Sequence, residues 1–262
     1  MKILRYLHKG LARYGILEGD LVMVCVGDPF EGLTKLNKTL SLDSVKLLSP
    51  VAPPNIICVG LNYKRHADEG KQPYPDSPWL FMKPTTTVCG LGDPIVLPLH
   101  NPDRIDYEIE LAIVIGKQAK NVPEDKVLDY VLGYTVANDV SNRAAQRADE
   151  QVVRSKGYDT FCPLGPVIAT DVDGDHLDLT CRIDGQTMQS SNTSDMIFSC
   201  SSLVTYLSQC MTLLPGTVIL TGTPEGVGFV RVPPVYLQEG QVVECEIEGI
   251  GVLFNPVVRQ DG

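Results

Sequence analysis

The sequence predicts an α+β fold that is built mainly from antiparallel sheet. Glycine (23 residues) and proline (19 residues) interrupt many short apolar runs in the chain of 262 residues, which is typical of a protein with many strands and turns. Two segments, 123–131 and 200–211, instead space their apolar side chains as amphipathic helices do. Because strands outnumber helices, we expect curved, largely antiparallel sheet with a few helices.

Residues 1 to 50 are predicted to form a small N-terminal β region, and residues 51 to 262 the main domain. Two strand candidates flank Glu18-Gly19-Asp20 in the first region, and a polar stretch follows them. Ala52-Pro53-Pro54 marks the predicted boundary, because paired prolines favour an extended linker.

The main domain is predicted to contain seven further elements. Alternating apolar residues indicate the strand at 106–115, and Asp184-Gly185 suits the positive φ angles of a tight hairpin turn. In chain order the predicted elements are a strand at Asp106–Ile115, a helix at Pro123–Val131, a strand at Tyr134–Val140, a hairpin at Cys181–Met188, a helix at Cys200–Met211, and strands at Val218–Leu220 and from Val242 onward.

The net charge and the cysteine content indicate which binding partners and which cellular compartment to expect. The net charge of −10 and the pI near 4.8 disfavour binding to nucleic acid or to an anionic membrane surface. The eight cysteines form no CxxC pair, so we expect buried free thiols in a reducing compartment. A cytoplasmic location is therefore predicted. A mitochondrial location is the alternative, because basic residues at positions 2, 5, 9 and 13 precede any acidic residue.

An acidic face is the first candidate site. Asp106, Glu108 and Glu110 are two residues apart on the predicted strand and so point to one side of it. Three like charges repel one another unless a cation lies among them, and carboxylates are the preferred ligands of hard divalent cations. Asp139, near the end of the next strand, can add a further carboxylate. A solvated strand face explains the same alternation, and the spacing leaves both interpretations open.

A histidine and a glutamate form the second candidate. Asn62 and Gly70 suit the two ends of a short helix, which places His66 and Glu69, three residues apart, on one side of it. A carboxylate beside an imidazole orients the ring and makes it a better general base. A surface ion pair has the same spacing, so this alternative also stays open.

Two cations and a glycine-rich turn complete the candidates. Lys156 and Arg143 lie in segments without an amphipathic helical pattern. The segment Thr221–Gly228 follows an apolar strand, but it lacks the spacing of a dinucleotide or phosphate-binding loop. Taken singly, each segment also fits an ordinary loop with surface charge.

Taken together, these segments resemble the fumarylacetoacetate hydrolase family from about residue 50 to the C-terminal region. The resemblance is specific because all the motifs occur in the family's order. The matching segments are Val59-Gly-Leu-Asn-Tyr63, His66-Ala-Asp-Glu69, Phe81-Met-Lys-Pro84, Asp106-Tyr-Glu-Ile-Glu110-Leu111, Gly133-Tyr-Thr-Val-Ala-Asn-Asp139-Val-Ser141, Lys156-Gly-Tyr-Asp-Thr-Phe-Cys-Pro-Leu-Gly-Pro166 and Leu220-Thr-Gly-Thr-Pro224.

The resemblance implies a metal centre and a proton acceptor. By similarity to the family, Glu108, Glu110 and Asp139 are the metal ligands, with magnesium or manganese as the expected ion. His66 and Glu69 match the family's general-base dyad, on a segment that closes over the substrate. The family's fold is a mixed β-roll that usually forms homodimers, so both are expected here.

The resemblance also implies residues that meet the substrate. Lys156 matches a family lysine near the metal, and Tyr63 and Thr223 match positions that contact substrate. Arg143 and Gln146 lie where the family often binds a substrate carboxylate.

The implied chemistry acts on small keto-acids or 1,3-diketones. A divalent metal stabilises an enolate, so the leading prediction is hydrolytic cleavage of a C–C bond in an acylpyruvate-like substrate. Decarboxylation of an acid such as oxaloacetate, and keto–enol or double-bond isomerisation, are alternatives on the same site. A metal-stabilised binding protein without turnover is the alternative of another class.

Two positions depart from the family pattern. Ala144 stands where many relatives carry an acid, and Glu225 stands where they often carry a small or basic residue. An additional carboxylate is unfavourable beside an anionic substrate, so Glu225 predicts a substrate with fewer negative charges than usual.

Overall fold

The computed structural model describes residues 1–100 and 102–260, and strands dominate this part of the chain. The turn at Glu18-Gly19-Asp20 joins two strands as predicted, while two further strands form in the polar stretch that follows. The strands before residue 50 are β1 (Lys2–His8), β2 (Leu11–Glu18), β3 (Leu21–Asp28), β4 (Gly32–Ser41) and β5 (Lys46–Leu48).

The remaining strands and the helices alternate irregularly along the chain. The strands are β6 (Ile56–Gly60), β7 (Trp79–Lys83), β8 (Val88–Cys89), β9 (Ile95–Leu97), β10 (Ile105–Asp106), β11 (Ile109–Ile115), β12 (Val131–Asn138), β13 (Ser141–Asn142), β14 (Cys162–Ala169), β15 (Asp178–Ile183), β16 (Gln186–Asn192), β17 (Val218–Leu220), β18 (Val242–Ile247) and β19 (Gly251–Arg259). The α-helices are α1 (Lys64–Glu69), α2 (Arg143–Ala148), α3 (Val153–Lys156) and α4 (Cys200–Cys210). Short 3₁₀ helices cover Leu42–Ser44, Thr85–Thr87, Pro102–Arg104, Glu124–Asp129, Thr193–Asp195 and Gly228–Val230.

The strands form two large sheets and one small one. The larger sheet is mixed and runs in the order β4-β3-β2-β1-β14-β12-β11-β17-β6-β7, with β5 paired to β1 and β8 paired to β14. The pairs β6–β17 and β8–β14 are parallel. A second sheet has the order β16-β15-β18-β19-β9, and β10 pairs with β13. This arrangement confirms the predicted α+β class with a mixed, strand-dominated architecture. Whether residues 1 to 50 fold as a separate domain stays a prediction.

The strand β11, which carries Glu110, lies inside the larger sheet between β12 and β17. Every residue of β11 is buried, because β12 and β17 flank it in the sheet and both sheet faces are covered. Its apolar residues are isoleucine, leucine, valine and alanine, which suit a strand buried on both faces. A carboxylate on such a strand lies in the protein interior, and this placement positions the site.

The predicted strand at 106–115 is interrupted, so that part of the prediction is wrong. Tyr107 and Glu108 separate β10 from β11. The Asp106 carboxylate accepts hydrogen bonds from the backbone N–H groups of Tyr107, Gly228 and Phe229 at 2.8 to 3.0 Å. These bonds and the pairing of β10 with β13 take the chain out of the line of β11. Asp106 therefore lies apart from the other two acids.

The other predicted elements form with small changes. The segment predicted as a helix at 123–131 is a 3₁₀ helix, whereas α4 forms as expected. Asp184 and Gly185 have φ angles of 50° and 79°, as the predicted hairpin requires. Tyr63, and not Asn62, is the N-terminal cap residue of α1.

All eight cysteines are free thiols, and only Cys210 among them is exposed. Within the described residues, no helix has both the length and the apolar character needed to cross a membrane.

Candidate active site

Three buried carboxylates meet where two paired strands end. Glu108 precedes β11, Glu110 lies within it, and Asp139 follows the last residue of β12. Ile109 pairs with Asn138 in the register of these strands, which brings the residues beyond each end together. One oxygen from each of the three carboxylates lies within 4.8 Å of the others. The side chains are buried, so the alternative of a solvated strand face is excluded.

Three buried cations contact these carboxylates. The Lys156 Nζ atom lies 2.7 Å from Glu108 Oε2 and 2.5 Å from Asp139 Oδ2. The Lys83 Nζ atom lies 2.5 Å from the other oxygen of Asp139. The Arg143 guanidinium donates from Nη2 to Glu108. Glu108 and Asp139 thus each contact two cations.

Arg143 is fixed from several sides. Its Nε donates to Asp106 at 3.0 Å and its Nη1 donates to Gln146 at 2.9 Å. Its guanidinium carbon lies 4.3 Å from the ring centroid of Phe229, a cation–π contact. The predicted pair Arg143 and Gln146 is therefore brought to the site, where Arg143 already engages two carboxylates.

The local charges move the pKa values of the acids in opposite directions. Burial would raise the pKa of Glu108, but Arg143 and Lys156 outweigh burial and lower this pKa to about 2. Burial, Asp139 and Glu108 all raise the pKa of Glu110 well above its usual range. Among the described residues Glu110 forms no ion pair, and its hydrogen-bond donor is the backbone N–H of Gly222 at 2.6 Å.

This donor set fits a hard divalent cation. Carboxylate oxygens are the ligands that magnesium and manganese prefer. Burial, followed by the charges of Asp139 and Glu108, raises the pKa of Glu110, and a cation among the three acids would favour its charged form. Glu108, Glu110 and Asp139 are therefore the residues that would hold the metal.

A histidine–glutamate pair faces the carboxylates across a cavity. His66 Nδ1 lies 3.3 Å from Glu69 Oε2 on α1, and the Glu69 carboxylate also accepts from the backbone N–H of Gly226 at 3.1 and 3.2 Å. If Nδ1 carries the proton, Nε2 is left as a free base. The His66 side chain is 15% exposed, so it is shielded but accessible.

Asn62 anchors the start of α1. Its side-chain amide donates to the carbonyl oxygens of Thr221 at 2.7 Å and of Phe198 at 3.1 Å, and it accepts from the Phe198 N–H at 2.8 Å. The predicted cap residue therefore ties three separate segments together and fixes the entry to the helix that carries His66.

The cavity has a volume of about 340 Å³ and lies between the three carboxylates and His66. It is lined by His66, the three acids, Lys156, Arg143, Gln146 and Thr223, and by the apolar side chains of Val59, Leu61, Trp79, Phe81, Val152 and Phe229. Thr223 donates to the Ile109 carbonyl at 2.9 Å and accepts from Gln189 at 2.9 Å. Tyr63, in contrast, is fully buried in the hydrophobic core and does not line the cavity.

Sequence reasoning gave no role to two residues of the site. Lys83 belongs to one of the matching motifs, and a lysine that ends the apolar run Trp-Leu-Phe-Met is the sequence signal for a buried cation. The side-chain oxygen of Asn138 accepts a hydrogen bond from the backbone N–H of Glu108 at 3.0 Å and so helps to position Glu108. A polar residue beside a candidate ligand was the only sequence signal for it.

Comparison with known families identifies the chain. A model described as the C-terminal domain of fumarylacetoacetate hydrolase matches residues 55–258. The chain belongs to the fumarylacetoacetate hydrolase family. A second model, described as Rv2993c-like, N-terminal, matches residues 1–50 of this family member.

Relatives within the fumarylacetoacetate hydrolase family carry several names. A Dictyostelium discoideum protein called a fumarylacetoacetate hydrolase domain-containing protein 2 homolog is 45% identical over 235 residues, which cover 84% of this chain and 77% of that one. The mitochondrial oxaloacetate tautomerase fahd2 of Xenopus laevis is 46% identical over 225 residues, covering 84% and 70%. The crystal structure of 5-carboxymethyl-2-hydroxymuconate delta-isomerase from Mycobacterium smegmatis has a TM-score of 0.90 at 41% identity, covering 99% and 100%.

Proposed function

We propose that this family member is a metal-dependent enzyme that enolises small 2-oxo acids and interconverts their keto and enol forms. The observation that carries the proposal is the position of His66. It lines the same cavity as Glu108, Glu110 and Asp139 and is oriented by Glu69. The names of the tautomerase and isomerase relatives support a proton transfer over a bond cleavage.

In this proposal His66 and Glu69 carry out the proton transfer, and Lys156 stabilises the charge that develops. His66 takes a proton from the carbon beside the ketone, and Glu69 stabilises the imidazolium that forms. The same proton returns to oxygen to give the enol, so the reaction consumes no other reactant. The Lys156 ammonium stabilises negative charge that develops on oxygen. A divalent cation, when bound to the three acids, supplies Lewis-acid stabilisation of the same charge.

Oxaloacetate is the first test substrate, and the change between its keto and enol forms is followed by ultraviolet absorbance. We expect turnover with magnesium or manganese, loss of turnover in EDTA, and a fall of about 10²–10⁴-fold in kcat for His66→Ala. His176→Ala is the matched control, because His176 also pairs with an aspartate three residues away but is 70% exposed. Equal activity of His66→Ala and His176→Ala would refute the assignment of the base.

Hydrolysis of acylpyruvates is a second candidate, and it was the leading prediction from the sequence. His66 lines the cavity and is partly accessible, so the same base can activate a water molecule that enters it. Mass spectrometry separates the outcomes: an isomer of unchanged mass, carbon dioxide from decarboxylation, or two acids from hydrolysis.

Several finer points belong to the same proposal. We expect magnesium or manganese as the ion, a homodimer, and a cytoplasmic protein without nucleic-acid or membrane partners. The Xenopus relative's name makes a mitochondrial location the alternative.

A further inference from the structure

One wall of the cavity has no part in the proposed proton transfer. Trp79, Phe81 and Lys83 are two residues apart on β7 and so project from the same side of that strand. Lys83 contacts Asp139 at the inner end, and both aromatic side chains line the cavity. The two rings have centroids 5.6 Å apart. They form a continuous aromatic wall that leads outward from the carboxylates.

Trp79 stands at the outer end of this wall, and a glycine makes room for it. Trp79 is 52% exposed, so its ring is open to solvent at this end of the cavity. Its cross-strand partner is Gly60, and a Cβ atom at residue 60 would lie only 1.9 Å from Cε3 of the indole. The ring therefore packs directly on the Gly60 backbone, and any side chain there would displace it.

The cations of the cavity are already engaged. Among the described lining residues, Lys156 contacts Glu108 and Asp139, and Arg143 contacts Glu108 and a further acid. A second carboxylate on a substrate would thus meet no unpaired cation there. Against the faces of Trp79 and Phe81 it would lose water without an opposite charge to compensate it, which is unfavourable. An apolar group gains by the same burial.

From this wall, and on the basis of the proposed function, we propose that Trp79 and Phe81 form a subsite for the apolar tail of a monoanionic 2-oxo acid, with an aromatic tail as the best fit. The 2-oxo acid head lies at the carboxylate cluster beneath His66, and the tail extends along β7 towards Trp79. Offset contacts between aromatic rings add to the gain from burial. The enzyme therefore selects phenylpyruvate-like acids over dicarboxylic acids such as oxaloacetate.

Two substrates with the same head test the selectivity. Phenylpyruvate and oxaloacetate differ in bearing a phenyl ring or a second carboxylate, and the interconversion of their keto and enol forms is followed by absorbance. We expect kcat/KM to be at least about tenfold higher for phenylpyruvate. Trp79→Ala should lower the ratio of the two kcat/KM values about tenfold, and Gly60→Ala should lower it in the same direction. Met82→Ala is the matched control, because Met82 is 44% exposed on the opposite side of β7.

Binding without turnover separates this inference from the proposed reaction. Phenyllactate and malate are the corresponding 2-hydroxy acids, and Trp79 is the single tryptophan of the chain, so its fluorescence reports on the subsite directly. With magnesium present we expect phenyllactate, but not malate, to change the emission. Calorimetry should show about tenfold tighter binding of phenyllactate, and Trp79→Ala should abolish this difference.

The outcomes distinguish the two ideas. If phenyllactate binds at Trp79 but neither 2-oxo acid is turned over, the proposed reaction fails and the subsite stands. If oxaloacetate is turned over at least as well as phenylpyruvate, and phenyllactate leaves the Trp79 emission unchanged, the subsite is refuted and the proposed reaction stands.

Discussion

Lys83 offers the sharpest test of how the site is held together. Its side chain is fully buried, and its Nζ lies 2.5 Å from Asp139 and 3.3 Å from the carbonyl oxygen of Val140. Lys83→Met keeps an unbranched side chain that is one atom shorter and removes the charge. Removing one partner of a buried ion pair costs about 3–5 kcal/mol, because the other charge stays buried with less compensation.

That free energy corresponds to a large change in melting temperature. For a chain of this size, 1 kcal/mol lowers the melting temperature by about 2–4 °C, so Lys83→Met should melt roughly 6–20 °C below the native protein. Lys46→Met is the matched control. The Lys46 Nζ atom lies 2.8 Å from Asp93, but the lysine side chain is 59% exposed. Such exposed pairs contribute about 1 kcal/mol or less.

The assay is thermal unfolding of the native protein and both variants in EDTA, repeated with magnesium. Magnesium should recover part of the stability lost in Lys83→Met, because a cation among the acids compensates Asp139. If Lys83→Met and Lys46→Met melt at the same temperature in EDTA, Lys83 does not stabilise the buried charge of Asp139.

Two further predictions concern the base and the metal ligands. Glu69→Gln should lower kcat for the proposed tautomerisation about 10–100-fold, because the imidazolium of His66 loses its counter-charge, whereas Asp173→Asn beside an exposed histidine should leave kcat unchanged; equal effects on kcat would refute the role of Glu69. Removal of magnesium should lower the melting temperature of the native protein by about 5–11 °C from a starting concentration of 100 Kd. Glu110→Gln should not show this dependence while the exposed-site variant Glu239→Gln does, and a full magnesium response in Glu110→Gln would refute its role as a ligand.

Local sequence pattern was enough to locate the acids but not to describe their surroundings. The alternation of Glu108 and Glu110 with apolar residues indicated neighbouring carboxylates, although only Glu110 lies within β11 and Glu108 precedes it. It could not show whether these carboxylates face water or the interior, because their burial depends on how β12 and β17 pair with β11, which is not a local property of the sequence. The break after Asp106 was missed for the same reason, since the loop at Gly228 supplies the donors that hold its side chain.

Pairings between distant segments account for the other differences. Lys83 reaches Asp139 across 56 positions of the chain, and Asn62 reaches Thr221 across 159. A helix-cap preference is a local property, so it assigned Asn62 to the end of α1 while its tertiary partners were unknown. Tyr63 was expected to contact substrate because of its place in a motif beside the site, but its ring packs in the hydrophobic core.

The balance of buried charge explains why the three acids differ from one another. Glu108 has two cationic partners and a pKa near 2, whereas Glu110 has no ion-pair partner among the described residues and a raised pKa. The site contains four buried carboxylates and three buried cations, namely Asp106, Glu108, Glu110, Asp139, Lys83, Arg143 and Lys156. With all four carboxylates ionised, one negative charge is uncompensated, and a divalent cation among Glu108, Glu110 and Asp139 would compensate it.

The same balance bears on how substrate is held. Arg143 uses two of its contacts on Asp106 and Glu108, so releasing it to a substrate carboxylate would leave these buried acids exposed to mutual repulsion. A positioning role for Arg143 follows more directly from these contacts than a role as a substrate anchor. With its cations committed to its own carboxylates, the cavity would gain a net positive charge from a bound divalent cation. A net charge of about +1 in the cavity matches a substrate with one carboxylate. The aromatic wall at Trp79 favours the same kind of substrate.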